Sequence, residues 1–282
     1  MPELPELEVM RDVLDRRIIG RHIAQVRPCH PGILKTVEPP VDLLVGRAFA
    51  HASRRGKHLV LTCDEHLHVV VHLMLAGRLV QSESNRKITK ATGFVLAFED
   101  GKDLRIVENG TKRRVKLYVV RDPSHVDSIA TLGVDPLSEA FTLMFLEEMF
   151  GGLRRQLKKV LTDQRTIAGI GSAYADEILH AAKLSPIRYA STMKPDEIER
   201  LHRATQAVLT HAIDAIRKQA GEALVGGHSR EFLQVYKRTG QPCPRCATPI
   251  AEIRYAQTKT YYCPHCQSSD RAIADRRSWL TR

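Results

Sequence analysis

The first eight residues, Met1-Pro2-Glu3-Leu4-Pro5-Glu6-Leu7-Glu8, hold the most reactive combination in the chain. Once Met1 is removed, Pro2 carries a free secondary amine. Amines condense with carbonyl carbons. A secondary amine cannot stop at a neutral imine, so its adduct is a cationic iminium and a strong electron sink. Glu3 and Glu6 stand three residues apart. If Pro5 opens a helix, they fall on neighbouring positions of its first turn and can move protons beside the amine. The same residues also suit ordinary helix capping, with carboxylates at the positive end of the helix dipole. The octapeptide alone leans to capping, and the rest of the chain has to decide.

A second set of residues points to a metal. Cys243-Pro-Arg-Cys246 and Cys263-Pro-His-Cys266 are two knuckles separated by sixteen residues, 247 to 262. No export signal opens the chain, so these thiols are expected to be reduced, and the spacing matches a four-cysteine zinc site. Four thiolates complete a tetrahedron and leave no open position. This Zn2+ is therefore expected to fold a hairpin over Ile250 to Tyr262 rather than to perform chemistry. His265 is a spectator inside the second knuckle, and Cys29 and Cys63 read as isolated thiols.

A third signal is Ile167-Ala168-Gly169-Ile170-Gly171-Ser172. Its glycines permit a tight turn and let backbone N–H groups approach a phosphate where the next helix starts. Net charge supports such a partner. With 43 Lys and Arg against 32 Asp and Glu, the chain carries +11, which suits a polyanion such as nucleic acid.

The elements that must position these groups fall into three blocks. Val9, Val13, Leu14 and Ile18 recur at helical spacing over 6–19, and Gly20 ends that helix. From about 22 to 120 short β-rich runs follow one another: Ile23 to Val26, His58 to Thr62, Val69 to Leu73, Phe94 to Phe98 and Val115 to Val120. Turn residues separate them, as in a β-sandwich. Ser82 to Thr92 reads as a polar loop. After Asp122-Pro123 the pattern turns helical, with helices expected over Phe145 to Leu161, Tyr174 to Leu184 and Pro195 to Gln219. The expected class is α+β: a helix plus β-sandwich over 1–122, a helical domain over 123–236, a zinc finger over 237–267 and a tail over 268–282. No apolar run approaches a membrane span. The absent signal peptide points to a cytoplasmic, bacterial-type protein.

Taken in order, the N-terminal proline with its glutamates, the Gly-x-Gly turn and the C-terminal zinc knuckles resemble the formamidopyrimidine-DNA glycosylase and endonuclease VIII family of base-excision repair enzymes. Met1 to Glu6 is similar to the formamidopyrimidine branch. Arg54-Arg55-Gly56-Lys57 resembles the loop that carries a catalytic lysine. Ala168 to Glu177 resembles the helix–two-turn–helix element, and Gln257 to Cys266 the zinc finger.

The resemblance implies a bifunctional glycosylase and lyase acting on damaged double-stranded DNA as a monomer. The damaged base is flipped out of the duplex. Pro2 attacks C1′ and displaces it, Glu3 handles protons, Glu6 holds the amine and the opened sugar, and Lys57 neutralises a neighbouring phosphate. β- and δ-elimination then cut the strand. His72 and Lys158 fall where the family contacts phosphate or lesion. Gly171, Ser172 and Lys259 would hold phosphates, and Leu75 and Arg113 would fill the stack where the base left.

The departures bear on specificity. Leu75 stands where the family places a methionine, with Met74 beside it as the other candidate wedge. Lys112-Arg113-Arg114-Val115 stands where the family has Arg-Arg-Phe. Ser172 replaces an asparagine, and Thr258-Lys259 replaces an arginine. The stretch Glu222 to Gln234 is shorter than the loop that closes over 8-oxoguanine. Weakened 8-oxoguanine recognition is the resulting expectation, with ring-opened purines, oxidised pyrimidines or hydantoins handled at least as well. A damage- or structure-specific binder of the same fold with narrowed catalysis is the alternative; it has no evident need for Pro2, Glu3, Glu6 and Lys57 together. An unrelated zinc-ribbon module would leave the N-terminus unexplained.

Overall fold

The computed structural model describes residues 1–63, 66–110, 112–221, 224, 230–255, 258–268 and 273. The tail with Trp279, Gln257 of the finger motif, and most of the 222–229 stretch lie outside them. Two compact units form. One comprises Met1–Leu132 and the end of the long helix from Ile213; the other comprises Gly133–Ala212 and the C-terminal segment.

The first unit opens with α1 (Leu4–Ile18), which carries Pro5 in its first turn and leaves Gly20 exposed at φ +76° just beyond its end. Leu7, Met10, Leu14 and Ile18 recur on one face and enter the core. Strands β1 (Ile23–Pro28), β2 (Phe49–Arg55), β3 (His58–Cys63), β4 (Leu67–His72), β5 (Gly77–Glu83), β6 (Thr92–Phe98), β7 (Lys102–Glu108) and β8 (Lys116–Val120) follow. Among the described residues they pair into two four-stranded sheets, ordered β1-β6-β7-β5 and β2-β3-β4-β8, and every named pairing is antiparallel. Leu59, Leu61, Val69 and Val71 join Phe94, Leu96, Leu104 and Ile106 in one apolar core. The sandwich expected from the alternating runs is thus present. Three of its strands, β2, β5 and β7, fall in segments that the sequence left unassigned, and β5 takes the start of the polar loop expected over Ser82 to Thr92. A short helix, α2 (Asp127–Ala130), closes the unit.

The second unit carries α3 (Leu143–Phe150), α4 (Leu157–Thr162), α5 (Ser172–Ala181) and the beginning of α6 (Pro195–Ala220). One helix over Phe145 to Leu161 was expected; two form. Gly151 and Gly152 interrupt them, Gly152 at φ +80°, a conformation that ends a helix readily. Strands β9 (Ala251–Tyr255) and β10 (Thr258–Tyr262) make the antiparallel hairpin, and α7 (Pro264–Ser268) follows. No helix among the described residues is long and apolar enough to cross a membrane.

Candidate active site and nucleic-acid interface

At the N-terminus, Glu3 is the cap residue of α1 and Glu6 sits in its first turn. The Glu3 backbone N–H donates to Glu6 Oε2 at 2.8 Å. Both carboxylates are buried, while Pro2 keeps partial exposure. Capping and the chemistry anticipated for this turn are therefore not rivals. The hydrogen bond that starts the helix also fixes the direction in which Pro2 leaves it.

A charged strut ties this helix to the next element. Arg54 Nε donates to Glu8 Oε2 at 2.6 Å, and Arg54 also reaches the Gly56 carbonyl at 3.2 Å. Despite burial, the guanidinia of Arg54 and Arg11 hold the Glu8 carboxyl below the usual glutamate range. Arg54 belongs to β2, and Gly56-Lys57 is the two-residue turn into β3, with Arg55 opposite His58. Gly56 takes φ +54°, as a tight hairpin turn requires. Lys57 is 7% exposed.

Beside Lys57 the sheet places two imidazoles. Leu59 pairs with Val71, so His58 and His72 are neighbours, with ring centroids 4.6 Å apart and edge to face. His72 lies opposite Lys116 on β8. Burial, helped by the neighbouring His58 and by the charges of Lys116 and Lys57, lowers His72 to about 4; burial lowers His58 to about 4 as well. Both are neutral near pH 7.

The loop after His72 presents the candidate wedge. Met74 N–H donates to His72 Nδ1 at 3.1 Å, and Gly77 N–H donates to the Leu73 carbonyl at 2.9 Å. A Cβ at Gly77 would stand 2.3 Å from the Leu73 oxygen, so only glycine closes this loop. Between these ties Leu75 stands 69% exposed. In the neighbouring segment the buried Glu108 carboxylate accepts the N–H groups of Arg114 at 2.8 and 2.9 Å and of Val115 at 3.2 Å. That brace sets the loop carrying Arg113, whose guanidinium donates to the Lys90 carbonyl.

The second unit gathers Lys158, Gly171, Ser172 and Lys259. Gly169, at φ +89°, makes the turn before α5. Gln164 braces it, accepting the Gly169 N–H at 2.8 Å and donating to the Ile170 carbonyl at 2.8 Å. Gly171 caps α5 and Ser172 begins it. Ser172 Oγ lies 3.4 Å from the Lys259 carbonyl oxygen, so helix start and hairpin meet. Lys259 extends to Glu252 at 2.9 Å. Lys158 is no solvated lysine. It is buried, and its ammonium meets Asp176 at 2.7 Å, the Lys259 carbonyl at 2.9 Å and Thr260 at 2.9 Å. Asp176 in turn accepts the Tyr261 N–H at 3.1 Å. Glu177, next along α5, accepts the N–H groups of Gln234, Val235 and Tyr236 at 2.8 to 2.9 Å.

The four cysteines of the finger converge. Their sulfurs lie within 4.8 Å of one another, with Cys243 and Cys266 4.0 Å apart and Cys246 and Cys263 3.4 Å apart. A tetrahedral ion with Zn–S bonds of about 2.3 Å requires sulfur separations of about 3.8 Å. The donor set fits one structural Zn2+ held by Cys243, Cys246, Cys263 and Cys266.

Gln164, Asp176, Glu177, Glu108 and His58 carry no recognisable signal in isolation. Each acts through backbone groups or partners far away in sequence. The acidic pair Asp176-Glu177, set among apolar residues of a buried helix, offers the one hint, because buried carboxylates need partners.

The class that this fold and these sites define is matched by comparison with known proteins. Residues 1–115 match the formamidopyrimidine-DNA glycosylase N-terminal domain, 132–221 the H2TH domain of the same enzymes, and 240–268 a zinc finger found in FPG and IleRS. The chain belongs to the formamidopyrimidine-DNA glycosylase family. It is 37% identical to the formamidopyrimidine-DNA glycosylase of Moorella thermoacetica, over 90% of this chain and 95% of that one. Two solved structures of the Lactococcus lactis protein superpose on it. One, in complex with abasic-site DNA, has a TM-score of 0.85 at 26% identity and covers 94% of this chain and 99% of its own. The other, with DNA containing FAPY-dG, has a TM-score of 0.86 at 26% identity and covers 94% and 100%.

Proposed function

We propose that this protein is a bifunctional base-excision repair glycosylase and lyase that removes oxidised or ring-opened bases from duplex DNA. The observation that carries the reading is the N-terminal turn: a partly exposed Pro2 held beside two buried carboxylates by the Glu3–Glu6 hydrogen bond.

The chemistry follows from those groups. The Pro2 nitrogen forms a bond to C1′ of the damaged nucleotide, and the C1′–base bond breaks with its electron pair on the base. The base takes up a proton, and the nitrogen gives up its own. Protonation of O4′ opens the sugar and leaves a C1′ iminium on Pro2. That cation acidifies C2′–H; loss of this proton expels the 3′ phosphate, and a second elimination expels the 5′ phosphate. Glu3 handles the protons at base and O4′. Glu6 keeps the turn that aims Pro2. Lys57, on a turn anchored to α1 through Arg54 and Glu8, neutralises a backbone phosphate. Leu75 is the apolar group that enters the stack, with Arg113 beside the orphaned base. Gly171, Ser172 and Lys259 hold a phosphate at the start of α5. Bacterial relatives and a chromosomal substrate support a cytoplasmic, nucleoid-associated setting.

Borohydride reduces an iminium to a stable amine. Mixing the processed protein with abasic-site duplex and borohydride should yield a covalent adduct at Pro2. An absence of adduct, with Met1 shown to be removed, sinks the lyase reading.

A further inference from the structure

Two packed imidazoles, His58 and His72, lie beside Lys57. His58 is 4% exposed. Its Nδ1 lies 3.3 Å from the Arg55 carbonyl oxygen, which can only accept, so that nitrogen carries the proton. Its Nε2, 3.0 Å from Ser128 Oγ, therefore accepts the hydroxyl proton. In His72 the order is reversed: Nδ1 accepts the Met74 N–H, so the neutral ring carries its proton on Nε2. No group among the described residues hydrogen-bonds that Nε2. The His58 ring packs edge to face against it, and Lys57 and Lys116 flank it. A neutral donor between two ammonium groups is a seat for an anion.

We propose that His58 is a positioning residue that fixes His72, the side chain that the family resemblance sets against phosphate or lesion, as an uncharged Nε2–H donor. His58 does this by joining three elements: the Lys57 turn through the Arg55 carbonyl, α2 through Ser128, and the end of β4 through the His72 ring. The proposal rests on the repair-enzyme reading for the identity of the anion. The tautomers stand on the hydrogen bonds alone. Because His72 donates without a charge, it contributes nothing to counterion release, unlike the lysines beside it.

Nitrogen-15 spectra of the DNA-free protein at pH 7 should show His72 neutral with its proton on Nε2. In His58→Ala the ring should lose this single form. With abasic duplex as substrate, His72→Phe and His58→Ala should each raise KM about fivefold, the worth of one hydrogen bond, and leave kcat within about twofold. The double variant should show no further rise, since both changes remove one contact. Ser128→Ala, which removes only the bond to His58 Nε2, gives a milder rise in KM and keeps the test open if His58→Ala folds poorly. A charged or Nδ1–H His72, additive KM effects, or an unchanged KM in Ser128→Ala and His58→Ala overturns the proposal. Failure of the wild-type protein to form any borohydride adduct sinks the enzymatic reading instead, and leaves the tautomer measurement standing.

Discussion

Lys158 Nζ and Asp176 Oδ1 stand 2.7 Å apart with both side chains almost wholly buried, so the two charges fasten α4 to α5 and, through Thr260 and Tyr261, to the zinc hairpin. Burial already raises the Asp176 carboxyl to about 7 against the pull of Lys158, so without the lysine it takes up a proton, and the Lys259 carbonyl and Thr260 hydroxyl lose their buried donor. Lys158→Met is expected to cost about 1–3 kcal/mol of stability. Chemical denaturation measures it; a loss under about 1 kcal/mol means that the pair is not the fastener described. Replacing both residues by apolar ones of similar volume should recover most of the loss.

Geometry favours Leu75 over Met74 as the wedge. Met74 is half-buried with its N–H tied to His72, whereas Leu75 is 69% exposed between two anchored residues. Leu75→Ala should slow base release about tenfold, the worth of most of a leucine side chain in the stack. Trapping on a preformed abasic site should change much less. An equal or larger effect from Met74→Ala reverses the assignment.

Acid should loosen the first unit in a defined window. Burial lowers both His58 and His72 to about 4, below the ordinary value near 6.5, with Lys57 and Lys116 adding to the effect on His72 and Lys116 on His58. Between pH 6.5 and 4 the unfolded chain takes up protons that the folded state refuses. Stability is therefore full above 6.5 and falls as pH drops toward 4, by up to about 1.4 kcal/mol per pH unit for each imidazole. His58→Phe removes one of the two, so its stability curve should be flatter than wild type across that window. Parallel curves contradict this account.

Zinc removal should act on binding rather than on the nucleophile. The hairpin has a small apolar cluster of Val235, Cys243, Ile250, Tyr261 and Cys263, two of whose five members are zinc ligands. A chelator or Cys246→Ser should release one equivalent of zinc, lower the melting temperature and weaken duplex affinity. Retained affinity after complete zinc loss contradicts the placement of Lys259 in the interface.

The parts legible in the sequence are those whose partners lie close along the chain. Two cysteine knuckles must each place ligands three residues apart, and a proline with glutamates must share one helical turn. Strand β7 shows why others were hidden. Lys102, Asp103, Arg105 and Glu108 are four charges in seven residues, and they mask the short alternation of Leu104 and Ile106. Yet Asp103 and Arg105 are buried together at 2.8 Å, and Glu108 is satisfied by backbone N–H groups six and seven residues onward. Composition cannot announce a charge whose partner is supplied by folding. The same holds for Lys158, which reads as a surface lysine until Asp176 is placed beside it. The split between α3 and α4 was visible at Gly151-Gly152 and was overridden by the apolar residues on either side.

Met74 adopts φ +52°, a left-handed conformation that costs a side-chain-bearing residue about 1–2 kcal/mol. The loop holds it there with a hydrogen bond on one side and the closure at Gly77 on the other. A looser loop would fold with less strain but would have to be ordered each time its tip entered a duplex. Here the ordering is completed once, when the chain folds. If Leu75 is the wedge proposed above, a tip held by these bonds before it meets DNA spends no ordering entropy at each of the many undamaged base pairs that a scanning enzyme meets.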